Sequence, residues 1–364
     1  MPEYQMVDLT VDDSPVFAAG EESRIGIDTE FMREKTYFAE LCLLQLSTSS
    51  DIYCADPLGG SGGGKARDEF WETITRPEWV LHSGRQDLEV VYQTAGRMPA
   101  AVFDTQIAAA FLGMQPQIGY AGLVKELFSV ELDKSHTRAD WSKRPVADAL
   151  LRYAAEDVQF LLPAFDELTD RLDQAGRLQW ALEDSKDLLN VHLYESDPSL
   201  AIDRVKGARN LRGRARAAAT ALASWRETQA LNRNRPRQWI IRDNVLLDIA
   251  INAPTSKAGL LTIEGLSEKM IRRIGDQLLR IVTEATHDQS GYEPPKRPDE
   301  AQKAALKKMQ GRVASVADGL GLAAELLAPK KELSAVMLGD RDSRVLHGWR
   351  REVIGDELLA LLDR

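Results

Sequence analysis

The chain has 364 residues, 44% hydrophobic and 28% charged, a composition typical of globular proteins and a length that implies two or three domains. No apolar run approaches the roughly 20 residues needed to span a bilayer, and the acidic start MPEYQMVDLTVDD has neither the basic segment nor the apolar core of a secretory signal, so a cytoplasmic chain is expected. The formal net charge of −10 argues against nucleic-acid partners for the chain as a whole, and the only cysteines, Cys42 and Cys54, suit two small buried hydrophobes better than a disulfide or a zinc site.

The first half alternates β-rich runs with helical patterns. Arg24 to Phe31 reads as a strand. Leu41 to Ser47 and Asp51 to Ala55, joined at Ser49-Ser50, read as a hairpin. The run Gly59 to Lys65 has the glycine and lysine spacing of a phosphate-binding loop, but Ala66 stands where Ser or Thr would hold Mg²⁺, so a surface loop is expected. A short strand at Trp79 to His82 precedes a helix from about Arg85 to Ala95. Val102-Phe103 is another strand, followed by a helix from Thr105 to Leu112 with Asp104 at its N-cap. Helical spacing runs from Val146 to about Gly176, with Pro163 expected to kink or divide it. A mixed sheet flanked by helices, α/β or α+β, is the fold class this order predicts for residues 1–190.

Beyond residue 190 the strand signal fades. Residues 208–230 form an Ala-rich helical segment, and helices and turns continue through Val245 to Ile251, Thr262 to Gly265 and Glu268 to Ala285. The Pro-rich segment 289–298 reads as a linker before a last helical block, 299–364. Charge is unevenly divided among these blocks. Residues 1–202 carry 17 basic and 35 acidic side chains, whereas 203–290 carry 16 and 9. Residues 204–242 hold eleven Arg or Lys and one acid, Glu227, a pattern that points to a phosphate-binding face. Arg209, Arg212, Arg214 and Arg216 are its candidate contacts.

Asp28 and Glu30 are two apart on a strand, so both carboxylates face one side of the sheet. A divalent cation would relieve their repulsion; a solvated acidic edge would also accommodate them. Asp87 opens a helix, where an acid is often only a cap. Tyr153 and Asp157 are four apart on a helix and share a face. The five histidines show no ligand spacing.

The order Asp-x-Glu on a strand, Asp at a strand-to-helix junction and Tyr-x-x-x-Asp on a late helix resembles the DEDDy exonucleases of the DnaQ-like, ribonuclease H-like superfamily. Within it, Gly26-Ile-Asp-Thr-Glu-Phe31, Leu43-Leu-Gln-Leu46, His82-Ser-Gly-Arg-Gln-Asp-Leu88, Phe103-Asp-Thr-Gln-Ile107 and Asp140-Trp-Ser-Lys-Arg-Pro145 resemble the ribonuclease D family. The resemblance implies an exonuclease domain over 1–190, a helicase-and-ribonuclease-D C-terminal (HRDC) domain over 203–288 and a divergent second copy over 299–364. It also implies 3′-5′ hydrolysis of RNA, such as tRNA precursors, by two Mg²⁺ or Mn²⁺ ions held by Asp28, Glu30, Asp87 and Asp157, with Tyr153 orienting the attacking water. Lys134 and Arg138 fall near the substrate end of such a site, and Trp141 reads as a packing anchor. DNA as substrate, or a binding protein with a structural metal site, are the alternatives, and a monomer is expected.

Overall fold

The computed structural model describes residues 3–8, 19–59, 65–132, 139–285, 292 and 298–362, and the chain divides into two compact units. The first comprises residues 1–32, 40–194 and 298–364; the second comprises 33–39 and 195–297.

The first unit is built on a six-stranded mixed sheet, β1 (Gln5–Asp8), β2 (Arg24–Met32), β3 (Glu40–Ser47), β4 (Ile52–Asp56), β5 (Glu78–Leu81) and β6 (Ala101–Asp104), in the order β1-β4-β3-β2-β5-β6. β3 runs antiparallel to both β2 and β4, and the other pairings are parallel. The expected hairpin is present as β3 and β4. β1 carries no sequence signal, since four residues are too few to show a period. Helices α1 (Lys65–Ile74), α2 (Arg85–Ala95), α3 (Thr105–Phe111), α4 (Tyr120–Phe128), α5 (Asp148–Gln159), α6 (Leu161–Gln174) and α7 (Leu178–Lys186) complete the nuclease half. The long helical run expected from Val146 is divided at Phe160, which leaves Pro163 in the first turn of α6, where its missing N–H is harmless. Ala154 and Ala155 are wholly buried on α5. A Cβ on Gly26 would lie 2.4 Å from Ser47 Oγ and 3.0 Å from Leu161 Cβ, so glycine is what lets α6 approach β2 this closely.

Residues 298–364, which include the last helical block, belong to the first unit. The helices Glu300–Leu320 and Lys330–Met337 and those that follow share one apolar core with the nuclease helices, from Phe103, Phe111 and Leu168 to Met309, Val313 and Leu358. Trp349 stacks on Trp180 with ring centroids 4.7 Å apart, and the buried Arg350 guanidinium pairs with Asp184 at 2.6 Å. Such contacts join segments far apart in sequence, which local periodicity does not reveal.

The second unit is helical: α8 (Gly213–Asn232), α9 (Arg237–Ile240), α10 (Asp243–Asn252), α11 (Lys257–Leu261) and α12 (Glu268–Glu284) enclose a core that includes Leu222, Leu246, Ile249 and Leu278. Helix α8 starts five residues later than the sequence pattern suggests, because Ala208–Asn210 is a 3₁₀ turn. Glu227, almost wholly buried on α8, accepts bonds from Arg237 at 2.8 Å and Arg204 at 3.3 Å and from the Tyr37 hydroxyl. Tyr37 lies in the 33–39 segment that follows β2 and belongs to this unit.

Candidate active site

Three elements bring five side chains to one cleft. β2 alternates, so Ile25 and Ile27 enter the core on one face while Asp28 and Glu30 lie half-buried on the other. α2 follows β5 through a turn at Ser83-Gly84 and carries Asp87 one turn in. α5 presents Tyr153 and Asp157 from one face while Leu151, Ala154 and Val158 are buried. The cleft has a volume of about 360 Å³, and all five residues line it. Oxygens of Asp28, Glu30 and Asp157 lie within 4.8 Å of one another, a spacing able to hold a metal ion.

Four carboxylates crowd this space with no Lys or Arg paired to any of them among the described residues. Burial, then the charges of Asp87, Asp157 and Glu30, raise Asp28 well above the ordinary carboxylate range. Burial and the charges of Asp157 and Asp87 push Glu30 from 4.5 up to about 8. Asp157 is raised chiefly by burial, against a hydrogen bond from Tyr153 that favours its ionised form. Asp87 is raised by burial and partly relieved by Thr29 Oγ1, which donates to its Oδ1 at 2.5 Å. Tyr153 is itself pushed far above 10 by burial and these charges, so in this metal-free cleft its hydroxyl is a hydrogen-bond donor. An oxygen-only donor set, destabilised in its ionised form and lacking a protein cation, fits a hard divalent ion.

Several further residues support the site or its surroundings. Asp104 does cap α3, accepting from Gln106 N at 2.8 Å, and its carboxylate also receives Ser83 N at 3.1 Å and Gly84 N at 2.8 Å. It thereby fixes the turn that aims Asp87. His82 lines the cleft, but both ring nitrogens are engaged, with Thr105 Oγ1 and Ile118 O each at 2.9 Å, as a structural histidine requires. Gln45 is the cross-strand partner of Asp28, is wholly buried, and has no hydrogen-bond partner for either side-chain atom among the described residues. Trp141 is buried as an anchor, its ring 6.3 Å from that of Tyr153. Cys42 and Cys54 are free and buried, their thiols pushed up to about 11 and about 12 by desolvation.

The remaining candidates are scattered. Lys134 and Arg138 lie outside the described residues, as do residues 60–64 of the glycine run. Arg209, Arg212 and Arg214 are exposed. Arg216 corrects the expected basic face: it is 5% exposed, its Nη1 donates to Ala208 O at 3.1 Å, and its guanidinium lies 3.8 Å from the Tyr292 ring centroid. It holds the helical unit together and is not available to a phosphate.

The mixed sheet with its acidic cleft defines a 3′-5′ exonuclease. A family model described as 3′-5′ exonuclease matches residues 15–173, and one described as HRDC domain matches 215–282. The chain is 36% identical to the ribonuclease D of Gluconacetobacter diazotrophicus over 354 residues, 94% of this chain and 88% of that one. It is also 36% identical to the ribonuclease D of Pseudomonas paraeruginosa over 352 residues, 93% and 92% of the two chains. The crystal structure of Escherichia coli RNase D, an exoribonuclease involved in structured RNA processing, is similar at a TM-score of 0.88 and 31% identity, covering 99% of both chains. The chain belongs to the ribonuclease D family and is a 3′-5′ exoribonuclease. Among the described residues no helix is long and apolar enough to cross a membrane.

Proposed function

We propose that this exoribonuclease removes nucleoside 5′-monophosphates one at a time from the 3′ ends of structured RNAs such as tRNA precursors, as a cytoplasmic monomer using two divalent ions, Mg²⁺ or Mn²⁺. The observation that carries the reading is the convergence of Asp28, Glu30 and Asp157 within 4.8 Å, with no Lys or Arg paired to them among the described residues. Asp28 would be shared between the two ions, Glu30 and Asp157 would complete the first site, and Asp87 would serve the second. Bound there, such ions supply charge neutralisation for the scissile phosphate and activation of the attacking water. Tyr153 would orient that water with its hydroxyl, while its bond to Asp157 favours the ionised form of the carboxylate against the effect of burial. Thr29 and Asp104 act through Asp87, the first by a direct bond and the second by fixing the turn before it.

Affinity for the body of the RNA falls to the helical unit. The acidic nuclease block repels phosphate outside its metal site, whereas Arg209, Arg212 and Arg214 present exposed charge, and Lys134 and Arg138 are further candidates nearer the 3′ end. The likeness of residues 299–364 to a second, divergent HRDC copy belongs to this reading too.

A time course on 5′-labelled RNA and DNA of one sequence, with Mg²⁺, Mn²⁺ or chelator, tests the chemistry, and a tRNA precursor with a 3′ trailer tests the substrate. Stepwise shortening from the 3′ end that needs metal, prefers RNA and stops at the mature tRNA end is expected. Equal or faster cutting of DNA would overturn the substrate assignment, and shortening that persists in chelator would overturn the metal assignment.

A further inference from the structure

The helical unit holds a cleft of about 870 Å³, larger than the nuclease cleft and unassigned to any role. Trp239, Arg242, Asn244, Glu264 and Met270 line it. Its composition is unusual for a surface. The one-turn helix α9 is pinned from below by Ile240 and Ile241, 6% and 3% exposed, and by the Arg237–Glu227 pair, yet the indole of Trp239 between them is 56% exposed. A large aromatic ring left in solvent on a firmly anchored turn forgoes the burial that the neighbouring side chains obtain.

The cations around it differ from the arginines enclosed within this unit. Arg204, Arg216, Arg226 and Arg237 are all committed to internal partners. Arg235, whose guanidinium is 5.8 Å from the Trp239 ring, and Arg242 are exposed and have no carboxylate partner among the described residues. Beside them lie groups that read edges. Asn244 offers an amide, and Glu264 an acceptor that repels phosphate but receives an amino group or a ribose hydroxyl. Gly265, at φ +92°, completes the rim; a Cβ there would meet Val245 Cγ2 at 2.7 Å.

We propose that this cleft binds an unpaired nucleotide of the RNA, its base stacked on Trp239, its phosphates on Arg235 and Arg242, and its base edge or 2′-hydroxyl at Asn244 and Glu264. An aromatic platform flanked by guanidiniums that no carboxylate among the described residues neutralises is the chemistry that retains single strands without reading their sequence. The inference rests on the reading that the helical unit contacts RNA, and it adds a base-dependent component to one otherwise carried by charge. A protein occupant would not need the two unneutralised cations at the ring.

The test uses full-length Asp28→Asn protein, to prevent cutting, and fluorescence anisotropy with two probes: a short oligoadenylate and a ribose-phosphate oligomer of the same length lacking bases. Trp239→Ala should weaken oligoadenylate binding by about fivefold or more, and Trp239→Phe should retain most of it. The base-free oligomer should bind the parent more weakly than oligoadenylate does, through charge alone, with little difference between parent and Trp239→Ala proteins. Because Trp239 is mostly exposed, an unchanged melting temperature serves as the fold control. Oligoadenylate affinity unchanged in Trp239→Ala, or an equal loss on both probes, overturns the stacking site. Replacing Arg209, Arg212 and Arg214 together with Gln separates the two readings: loss in that triple variant alone removes only this cleft, and loss in neither removes the helical unit from RNA binding altogether.

Discussion

Two regions of the molecule keep carboxylates away from bulk water, in opposite ways. In the helical unit, the single acid of the basic segment, Glu227, is met by two guanidiniums and a phenol, so that a buried charge is paired on every side. In the nuclease cleft, Asp28, Glu30, Asp87 and Asp157 face one another with only hydroxyl and amide donors for relief; burial raises all four, and the charges of the neighbouring cluster members raise Asp28 and Glu30 further. The first arrangement is complete as folded and has no free valence for a ligand. The second is incomplete by its own electrostatics, and that imbalance, more than the presence of acids as such, marks it as the site of a cation.

Substituting one member of each cluster should therefore act in opposite directions on stability. Asp28→Asn is expected to lower exonuclease activity by at least about 10³-fold, since the missing ligand removes several kcal/mol of charge stabilisation. The same change should leave the metal-free protein as stable as the parent or more so at neutral pH, because it removes a like charge from the cluster. Glu227→Ala should destabilise by about 1–3 kcal/mol, because Arg237 and the Tyr37 hydroxyl lose their buried acceptor. Urea denaturation of the metal-free proteins, set beside the gel assay, reads both. A stable Glu227→Ala or a destabilised Asp28→Asn would break the contrast.

Tyr153→Phe should produce an intermediate effect, a fall in kcat of about 10²-fold with KM little changed. Loss of the bond to Asp157 should also raise that carboxylate, moving the acidic limb of the pH-rate profile upward. A profile with the limb unmoved would separate Tyr153 from Asp157.

Metal and pH should compete in the nuclease cleft alone. Glu30 titrates near 4.5 when unfolded and near 8 in the metal-free fold, so between those values the folded chain holds a proton that the unfolded chain has released. Its contribution to stability is accordingly greatest at low pH, declines as pH rises from about 4.5 to about 8, and levels off above. A divalent ion binds the ionised form, so the rise in melting temperature on adding Mn²⁺ should be larger near pH 8.5 than near pH 5.5. An equal rise at both would mean that these carboxylates are not the ligands.

How far the sequence reveals this contrast depends on how local each feature is. Asp28 and Glu30 stand out because two acids two apart in an apolar strand break a regular pattern, and Tyr153 and Asp157 because four residues make one helical turn. Asp87 looks like a helix cap until the family motif surrounds it. Thr29, Gln45 and the second task of Asp104, bonding the Ser83-Gly84 turn, depend on pairing across strands and loops, which no periodicity encodes. The same holds for residues 299–364, whose apolar faces are complementary to α3, α6 and α7 and merge into their core. In α8 the alternation of Ala and Arg gives no clear face, so Arg216 reads as one more surface cation when its guanidinium is enclosed.

That misread residue supplies the smallest and most selective prediction. If phosphate binding on the helical unit runs through exposed arginines, Arg209→Gln, Arg212→Gln and Arg214→Gln should each weaken RNA binding by a fewfold. Each should also lower the slope of log affinity against log salt by about 0.7 to 0.9 for every phosphate left without its arginine. Arg216→Gln should leave that slope unchanged and lower the melting temperature instead, because its bond to Ala208 and its stacking on Tyr292 are internal. Binding isotherms at several salt concentrations separate the two outcomes. A reduced slope for Arg216→Gln at full stability would put its guanidinium on the RNA, whereas four unchanged slopes would move the electrostatic footprint off α8 and its approach, towards the arginines beside Trp239.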